Sequence, residues 1–257
     1  MLPTPTTSHV PYTLVYEPAE DSFLLLDTLS SPASTNFHTT HFPPSSPPPL
    51  ILEIGPGSGV VLAFLTAHPT ALFSRPDILT LGIDINSFAC ASTAQTVRLA
   101  TAQHPSSSST TGTFLSAAQN DLTSCLRKNQ VDVLVFNPPY VPTEDLPLLP
   151  ESLRQQKEPG AKVTFEEESK LLELSYAGGK DGMETTDRVI DSLGEVLSER
   201  GIAYLLLCAG NKPEEVKERI RGMGNAGEGR RWMAETVGTS GRQAGWEKLQ
   251  IVRIWRE

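Results

Sequence analysis

Asn137 stands where an apolar and β-branched run, Val133-Leu134-Val135-Phe136, stops against Pro138-Pro139-Tyr140. Neither proline can donate to a sheet ladder, and each biases the residue before it towards extended backbone. A side-chain amide is thereby held at the carboxyl end of a strand, in a stiff turn with an aromatic ring behind it. Ligands of open α/β sheets bind at that end. Three acids recur in comparable places. Glu53 sits just before the turn Gly55-Pro56-Gly57-Ser58-Gly59, whose glycines permit positive φ and close approach of a ligand to the backbone. The spacing is neither the G-x-G-x-x-G of dinucleotide sites nor a phosphate loop with its lysine. An acid there suits a ligand with a cationic amino group and would repel a pyrophosphate. Asp84 closes the second strand, from which an acid can hold a ribose diol through paired hydrogen bonds. Asp121, in Asn120-Asp121-Leu122, can accept from an adenine exocyclic amine while Leu122 lies against the ring face. Each has an ordinary reading as well: a strand exit for Asn-Pro-Pro-Tyr, a helix start near Asp84 that Asn86 and Ser87 already cap, a turn at Asp121.

These groups need a scaffold of alternating strands and helices. Residues 50–54 (LILEI) read as a buried strand, and VVLAFL after the glycines as a helix. Strand, glycine turn, helix is the opening unit of a doubly wound α/β fold. A second strand is expected over 78–83, a helix over 89–103, a short strand at 113–115, a short helix over 122–129 and the Asn137 strand from 132. A polar excursion over 141–168 is long for a βα connection, and long loops in compact domains are usually functional. A short helix at 169–175 leads to the glycine-rich Ala177-Gly178-Gly179-Lys180-Asp181-Gly182, read as backbone shaped around the site entrance. A helix over 183–200 should stop at Gly201 and feed a buried strand over 202–208. A charged helix over 212–223 and two strands over 231–237 and 247–255 close the chain as a partly buried hairpin. Near the start, Pro18 suits the first turn of a helix that Glu20 and Asp21 favour and Leu24, Leu25 and Leu26 make apolar. The polar cluster before those leucines could line a pocket. Residues 1–11 are expected to be flexible, and 30–49 and 104–112, rich in Ser, Thr and Pro, to be low-complexity loop insertions. One domain over 1–257 is the expected count.

Composition narrows the function. Hydrophobic residues make up 39% of 257, enough for a sizeable core, and no stretch approaches a membrane span of about 20 apolar residues. The N-terminus lacks the basic and apolar regions of a signal peptide. Cys90, Cys125 and Cys208 have no paired spacing, as expected of reduced residues in an intracellular protein. His38 and His41 lie in a polar stretch without ligand-spaced partners, so no metal is expected. A net charge of −9 argues against tight binding of duplex nucleic acid by the chain alone.

The ordered set Glu-Ile-Gly-Pro-Gly-Ser-Gly, Asp84, Asn-Asp-Leu and Asn-Pro-Pro-Tyr resembles class I S-adenosylmethionine-dependent methyltransferases carrying [D/N]-P-P-[Y/F/W]. The opening Val-Tyr-Glu-Pro-Ala-Glu-Asp-Ser-Phe-Leu-Leu-Leu-Asp and the Ala-Gly-Gly-Lys-Asp-Gly piece narrow the resemblance. They are similar to the eukaryotic and archaeal HemK-type protein-glutamine methyltransferases, which modify the Gly-Gly-Gln loop of the class I translation release factor. The resemblance covers most of the chain from about residue 12. It implies a Rossmann-like, seven-stranded, mostly parallel sheet with an antiparallel C-terminal hairpin at its edge. It implies S-adenosyl-L-methionine as cofactor, held by Ser22, Glu53, Gly55, Gly57, Gly59, Asp84, Asp121, Leu122 and Asn137. It also implies a heterodimer with a small zinc-ribbon activator, a release factor as substrate, and a cytoplasmic location with a nuclear pool left open.

An amide nitrogen is a poor nucleophile because its lone pair is delocalised into the carbonyl. The expected mechanism is therefore positioning, worth up to about 7–11 kcal/mol in favourable intramolecular models. The Asn137 side-chain oxygen and the Pro138 carbonyl would accept the two amide hydrogens, Pro139 would stiffen the turn, and Tyr140 would pack against the flat amide. Asn-Pro-Pro-Tyr also serves adenine-N6 methyltransferases, which flip a base from its stack; the acidic balance and the lack of a basic recognition domain weigh against that alternative. Methylation of another protein side chain such as lysine is a further one. A nicotinamide oxidoreductase would want the other glycine spacing, and a non-catalytic binding module would not need both acids and Asn-Pro-Pro-Tyr.

Overall fold

Strands and helices alternate along the chain in a computed structural model that describes residues 2–103, 110–154, 163–224, 230–240 and 248–257. The order is α1 (Glu20–Ser30), α2 (Pro32–His41), β1 (Leu50–Ile54), α3 (Val60–Ala67), α4 (Pro69–Phe73), β2 (Leu79–Asp84), α5 (Ser87–Ala102), β3 (Thr113–Gln119) and β4 (Val131–Phe136). It continues α6 (Glu151–Arg154), α7 (Phe165–Tyr176), α8 (Glu184–Val196), β5 (Leu197–Cys208), α9 (Pro213–Arg221), β6 (Trp232–Thr239) and β7 (Leu249–Arg256). The strands form one seven-stranded sheet in the order β3-β2-β1-β4-β5-β7-β6. The first five strands run parallel, and β7 is antiparallel to both β5 and β6. This is the mostly parallel sheet with an antiparallel hairpin edge that the motifs imply.

Both faces of the sheet are covered, so its inner strands are mostly apolar instead of alternating with polar residues. On β4, Val133 and Val135 join one core with Leu25, Leu29, Phe42, Ile51, Val61 and Phe73. Leu134 and Phe136 join the opposite core with Leu52, Ile54, Val189, Ile190 and Leu193. β1 and β4 pair from Ile51–Val133 to Ile54–Phe136. That register brings Glu53 and Asn137 to the carboxyl edge of adjacent strands, and β2, paired with β1 on its other side, ends on Asp84.

Several local expectations are corrected. Residues 30–49 are not a loop insertion: 32–41 form α2, with Ser31 accepting from the Ser34 backbone N–H and Pro32 in its first turn. Low polarity is not what packs it. His38 is wholly buried, stacked on Phe73 and hydrogen-bonded to Leu72 O (3.0 Å) and the Tyr204 hydroxyl (2.6 Å), and His41 reaches Arg200 O (2.9 Å). Residues 1–11 are not a loose tail where described: Leu2 packs on the core, Pro3 O meets His68 Nε2 at 3.3 Å, and Val10 is buried with Val15 and Ala89. The helix expected over 122–129 is a series of turns, since Leu122 and Asn129 both take positive φ (50° and 58°). α1 starts at Glu20 with Ala19 as its cap residue, leaving Pro18 outside.

α8 ends at Val196, not at Gly201, because Leu197 leaves the helix to pair with Val131 in β5. Gly201 lies inside that strand, where a Cβ would come within 2.7 Å of Leu197 Cβ and 2.9 Å of Val131 O. The strand expected at 113–115 runs to Gln119 and the helix at 169–175 starts at Phe165, behind a Thr164–Glu167 capping box. The stretch 104–112 lies mostly outside the described residues, as do part of the 141–168 excursion and the start of the 247–255 strand. Among the described residues no helix is long and apolar enough to cross a membrane, and no group of three His, Cys, Asp or Glu could hold a metal ion.

Candidate active site

β1 feeds straight into the glycine turn, and three of its glycines take positive φ: Gly55 (62°), Gly57 (54°) and Gly59 (78°). They are not equivalent. A Cβ on Gly55 or Gly57 would meet nothing within 4 Å, whereas one on Gly59 would lie 2.5 Å from Thr93 Cα. Gly55 and Gly57 line a cavity of about 200 Å³. Gly59 is not part of that lining; its missing Cβ lets α3 start against Thr93 of α5.

The same cavity is lined by Asp21, Ser22, Glu53, Asp84, Asp121, Leu122, Asn137, Pro138 and Pro139. Residues spread over 118 positions of sequence thus converge on one space at the carboxyl edge of β1, β2 and β4. Glu53 is 3% exposed and its Oε2 has no hydrogen-bond partner. Burial pushes its carboxyl up to about 8, opposed by a hydrogen bond at the Leu62 backbone and reinforced by the Asp84 charge. Asp84 is also pushed up by burial, to about 6, against backbone hydrogen bonds from Asn86, Gly57 and Ile85. Its Oδ2 accepts from Gly57 N (3.1 Å) and its Oδ1 from Asn86 N (2.9 Å), which ties the end of β2 to the glycine turn. Asn86 in turn caps α5 and donates from Nδ2 to Leu14 O (2.7 Å), drawing the N-terminal segment over the cavity, where Val15, Tyr16 and Pro18 line it.

At the end of β4, Asn137 donates from Nδ2 to Asp21 Oδ2 (3.1 Å), while its Oδ1 is buried without a hydrogen-bond partner. The backbone behind it is clamped. A Cβ on Gly178 would fall 2.5 Å from Pro139 O and one on Gly182 2.1 Å from Tyr140 O, so the glycine-rich piece lies directly against Asn-Pro-Pro-Tyr. Asn211 Nδ2 holds Tyr140 O (3.3 Å) and Asp181 O (3.1 Å). Tyr140 itself is half-buried against the core and does not line the cavity. The ring thus packs on the core behind the turn.

Two participants escaped the sequence reading. Asp21 was legible as a helix-start acid but not as the partner of Asn137. Arg188, on α8, donates to Asp121 Oδ2 at 2.6 Å across a half-exposed pair; nothing in its helical spacing marks it. Leu171 and Leu174 of α7 and Leu146 and Pro147 of the long excursion add apolar lining to the cavity.

No protein-family model matches the chain. Mouse methyltransferase HEMK2 is 34% identical over 259 residues, spanning 98% of this chain and 96% of the mouse protein. The chain belongs to the HEMK2 methyltransferase family. The eRF1 methyltransferase catalytic subunit mtq2 of Schizosaccharomyces pombe is 32% identical over 262 residues, covering 100% of this chain and 96% of that protein. Among solved structures, the N-terminal domain of human METTL16 in complex with SAH aligns with a TM-score of 0.50 at 14% identity, over 94% of this chain and 72% of that one; the likeness is one of fold. The chain is an S-adenosylmethionine-dependent methyltransferase, and the site fits that donor. Glu53 presents a buried oxygen without a partner, and the bare backbone of Gly55 and Gly57 faces open space.

Proposed function

We propose that this protein methylates the side-chain nitrogen, N5, of the glutamine in the Gly-Gly-Gln loop of a class I translation release factor. The observation that carries the reading is Asn137 Oδ1, a buried acceptor without a partner beside a cavity that four acids and a glycine cradle also line. Leaving such a group unpaired costs about 1–3 kcal/mol, which a substrate N–H would recover. The name of the fission yeast relative, an eRF1 methyltransferase, supports a release factor as the protein that brings that N–H. The resemblance to protein-glutamine methyltransferases supports glutamine as the residue.

When bound, S-adenosylmethionine supplies a methyl group made electrophilic by its sulfonium. Glu53 would take the cofactor's amino group, Asp84 the ribose hydroxyls, and Asp121 with Leu122 the adenine, while Ser22, Gly55 and Gly57 let it lie close to the wall. Asn137 Oδ1 and the Pro138 carbonyl would accept the two hydrogens of the substrate amide, turning its nitrogen into line and stabilising positive charge as it develops there. Pro139, clamped against Gly178, keeps the turn from yielding. The site needs no strong base ahead of transfer, because the nitrogen loses its proton only after the new bond forms.

The word "subunit" in the fission yeast relative's name, and the family resemblance, support a small zinc-ribbon activator as partner. β3 is one edge of the sheet with Leu115 51% exposed, and α5 beside it leaves Leu99 38% exposed, apolar surface that a partner would cover. A translation factor as substrate places the reaction in the cytoplasm. Asn137→Ala in the activator-bound enzyme tests the assignment: turnover on release factor should fall at least about 100-fold, the loss of a single preorganised acceptor, with cofactor affinity kept within about threefold. Near-normal turnover would overturn it.

A further inference from the structure

We propose that Asp21 is a positioning residue for methyl transfer, its carboxylate setting which way round the Asn137 amide is held. The proposal rests on the reading of Asn137 as acceptor for the substrate nitrogen. Asp21 lies buried in the first turn of α1, on an element that contributes nothing to the sheet. Its Oδ1 accepts from the Ser22 backbone N–H at 2.6 Å and from Ser22 Oγ at 3.2 Å, and its Oδ2 from Asn137 Nδ2 at 3.1 Å. The Ser22 N–H is one of the first-turn donors that a helix leaves unpaired, so the start of α1 fixes the carboxylate.

An aspartate side chain of this kind only accepts. Facing it, the Asn137 amide must turn its NH2 towards α1 and its oxygen away. The reversed amide would set Asn137 Oδ1 against Asp21 Oδ2, two acceptors at hydrogen-bonding distance, and would offer the substrate nitrogen donors where it needs an acceptor. The two ends of a primary amide have nearly the same shape, and only the hydrogen-bond network distinguishes them. Pro138 and Pro139 stiffen the backbone of the turn but do not choose between the two orientations. Among the hydrogen bonds of the described residues, the one to Asp21 is what orients this side chain.

A swap of the two polar groups provides the test, in the full chain and in the assembly in which the unaltered chain turns over. Single-turnover transfer and cofactor affinity are measured for Asp21→Asn, Asn137→Asp, the double swap and Asn137→Ala. Asp21→Asn lets the amide reverse and should slow transfer at least about tenfold with cofactor affinity within about threefold, since positioning acts on the rate and not on donor binding. Asn137→Asp alone sets two carboxylates face to face and should also be slow. The double swap restores a donor on α1 facing an acceptor on β4, with an acceptor oxygen again towards the substrate, and should be at least about tenfold faster than the slower single variant. A packing role for Asp21 would not give that recovery. Unchanged transfer in Asp21→Asn, a parallel loss of cofactor affinity, or a swap no faster than the slower single variant would each overturn the proposal. If Asn137→Ala keeps its rate, the acceptor reading falls; if it is inactive while Asp21→Asn is normal, only the role of Asp21 falls.

Discussion

A cofactor that brings a cationic amino group to Glu53 must find that carboxyl ionised, yet burial holds it at about 8 in the free chain. Binding below that pH therefore releases a proton. Affinity should rise with pH by up to about tenfold per unit on the way to about 8, the most that one coupled proton allows. Titration calorimetry in two buffers of different ionisation heat would count the proton, and Glu53→Gln should weaken binding and flatten the profile. An affinity independent of pH between about 6 and about 8 would show that the amino group is held elsewhere. Glu53, Asp84 and Asn137 were legible in the sequence because a strand end is a definite place: an apolar run that stops on a polar residue fixes both edge and direction. Tyr140 was less legible, because an aromatic ring in a turn reads the same whatever it packs on; here it rests against the core. Asp21 could be read only as a helix-start acid because its partner is 116 residues away on another element.

The glycine turn gives the prediction that belongs to the elements. Gly59→Ala combines a positive φ with a contact of 2.5 Å to Thr93 Cα and should cost about 2–4 kcal/mol in urea unfolding, left-handed strain plus overpacking. Gly57→Ala meets no atom within 4 Å and should cost only the strain, about 1–2 kcal/mol. Its methyl group borders the cavity, so its larger effect should be on cofactor affinity. Equal unfolding costs would mean that the two glycines have been wrongly separated. On the β3 edge, Leu115→Asp should leave stability within about 0.5 kcal/mol while weakening association with the activator at least tenfold by the loss of one buried anchor; unchanged association by pull-down or titration would move the partner elsewhere. The mostly parallel seven-stranded sheet with its antiparallel edge followed from the resemblance that the motifs carry, but α2 did not. A Ser/Thr/Pro-rich stretch with no apolar stripe looks like a loop, and its helix is held by a histidine ring buried as an aromatic, which composition does not reveal. α8 was overrun by four residues because Leu197 fits the helical period and its pairing with Val131 is invisible locally.

Buried His38 ties α2, α4 and β5 into one body, and burial lowers its pKa to about 3. The unfolded chain, with an ordinary histidine near 6.5, binds the extra proton first. His38 therefore favours the unfolded state as pH falls from about 6.5 towards about 3, by up to about 1.4 kcal/mol per unit. His38→Gln should be less stable than the unaltered chain at pH 7.5, with the gap narrowing as pH drops below about 6.5. Glu53 and Asp84 contribute to both chains alike, so the difference isolates the histidine; a gap that stays constant in chemical denaturation down to about pH 5 would contradict this. For the molecule as a whole, class and cofactor followed from four motifs in order, whereas the substrate is a choice between planar nitrogens that Asn-Pro-Pro-Tyr alone does not make. Peptide mapping by tandem mass spectrometry after transfer of a labelled methyl group decides it most directly. The activator-bound enzyme is given release factor and an adenine oligonucleotide side by side. The account predicts label on the glutamine of the Gly-Gly-Gln loop, lost with Asn137→Ala; label on the oligonucleotide alone, or on a lysine of the release factor instead of that glutamine, would contradict it.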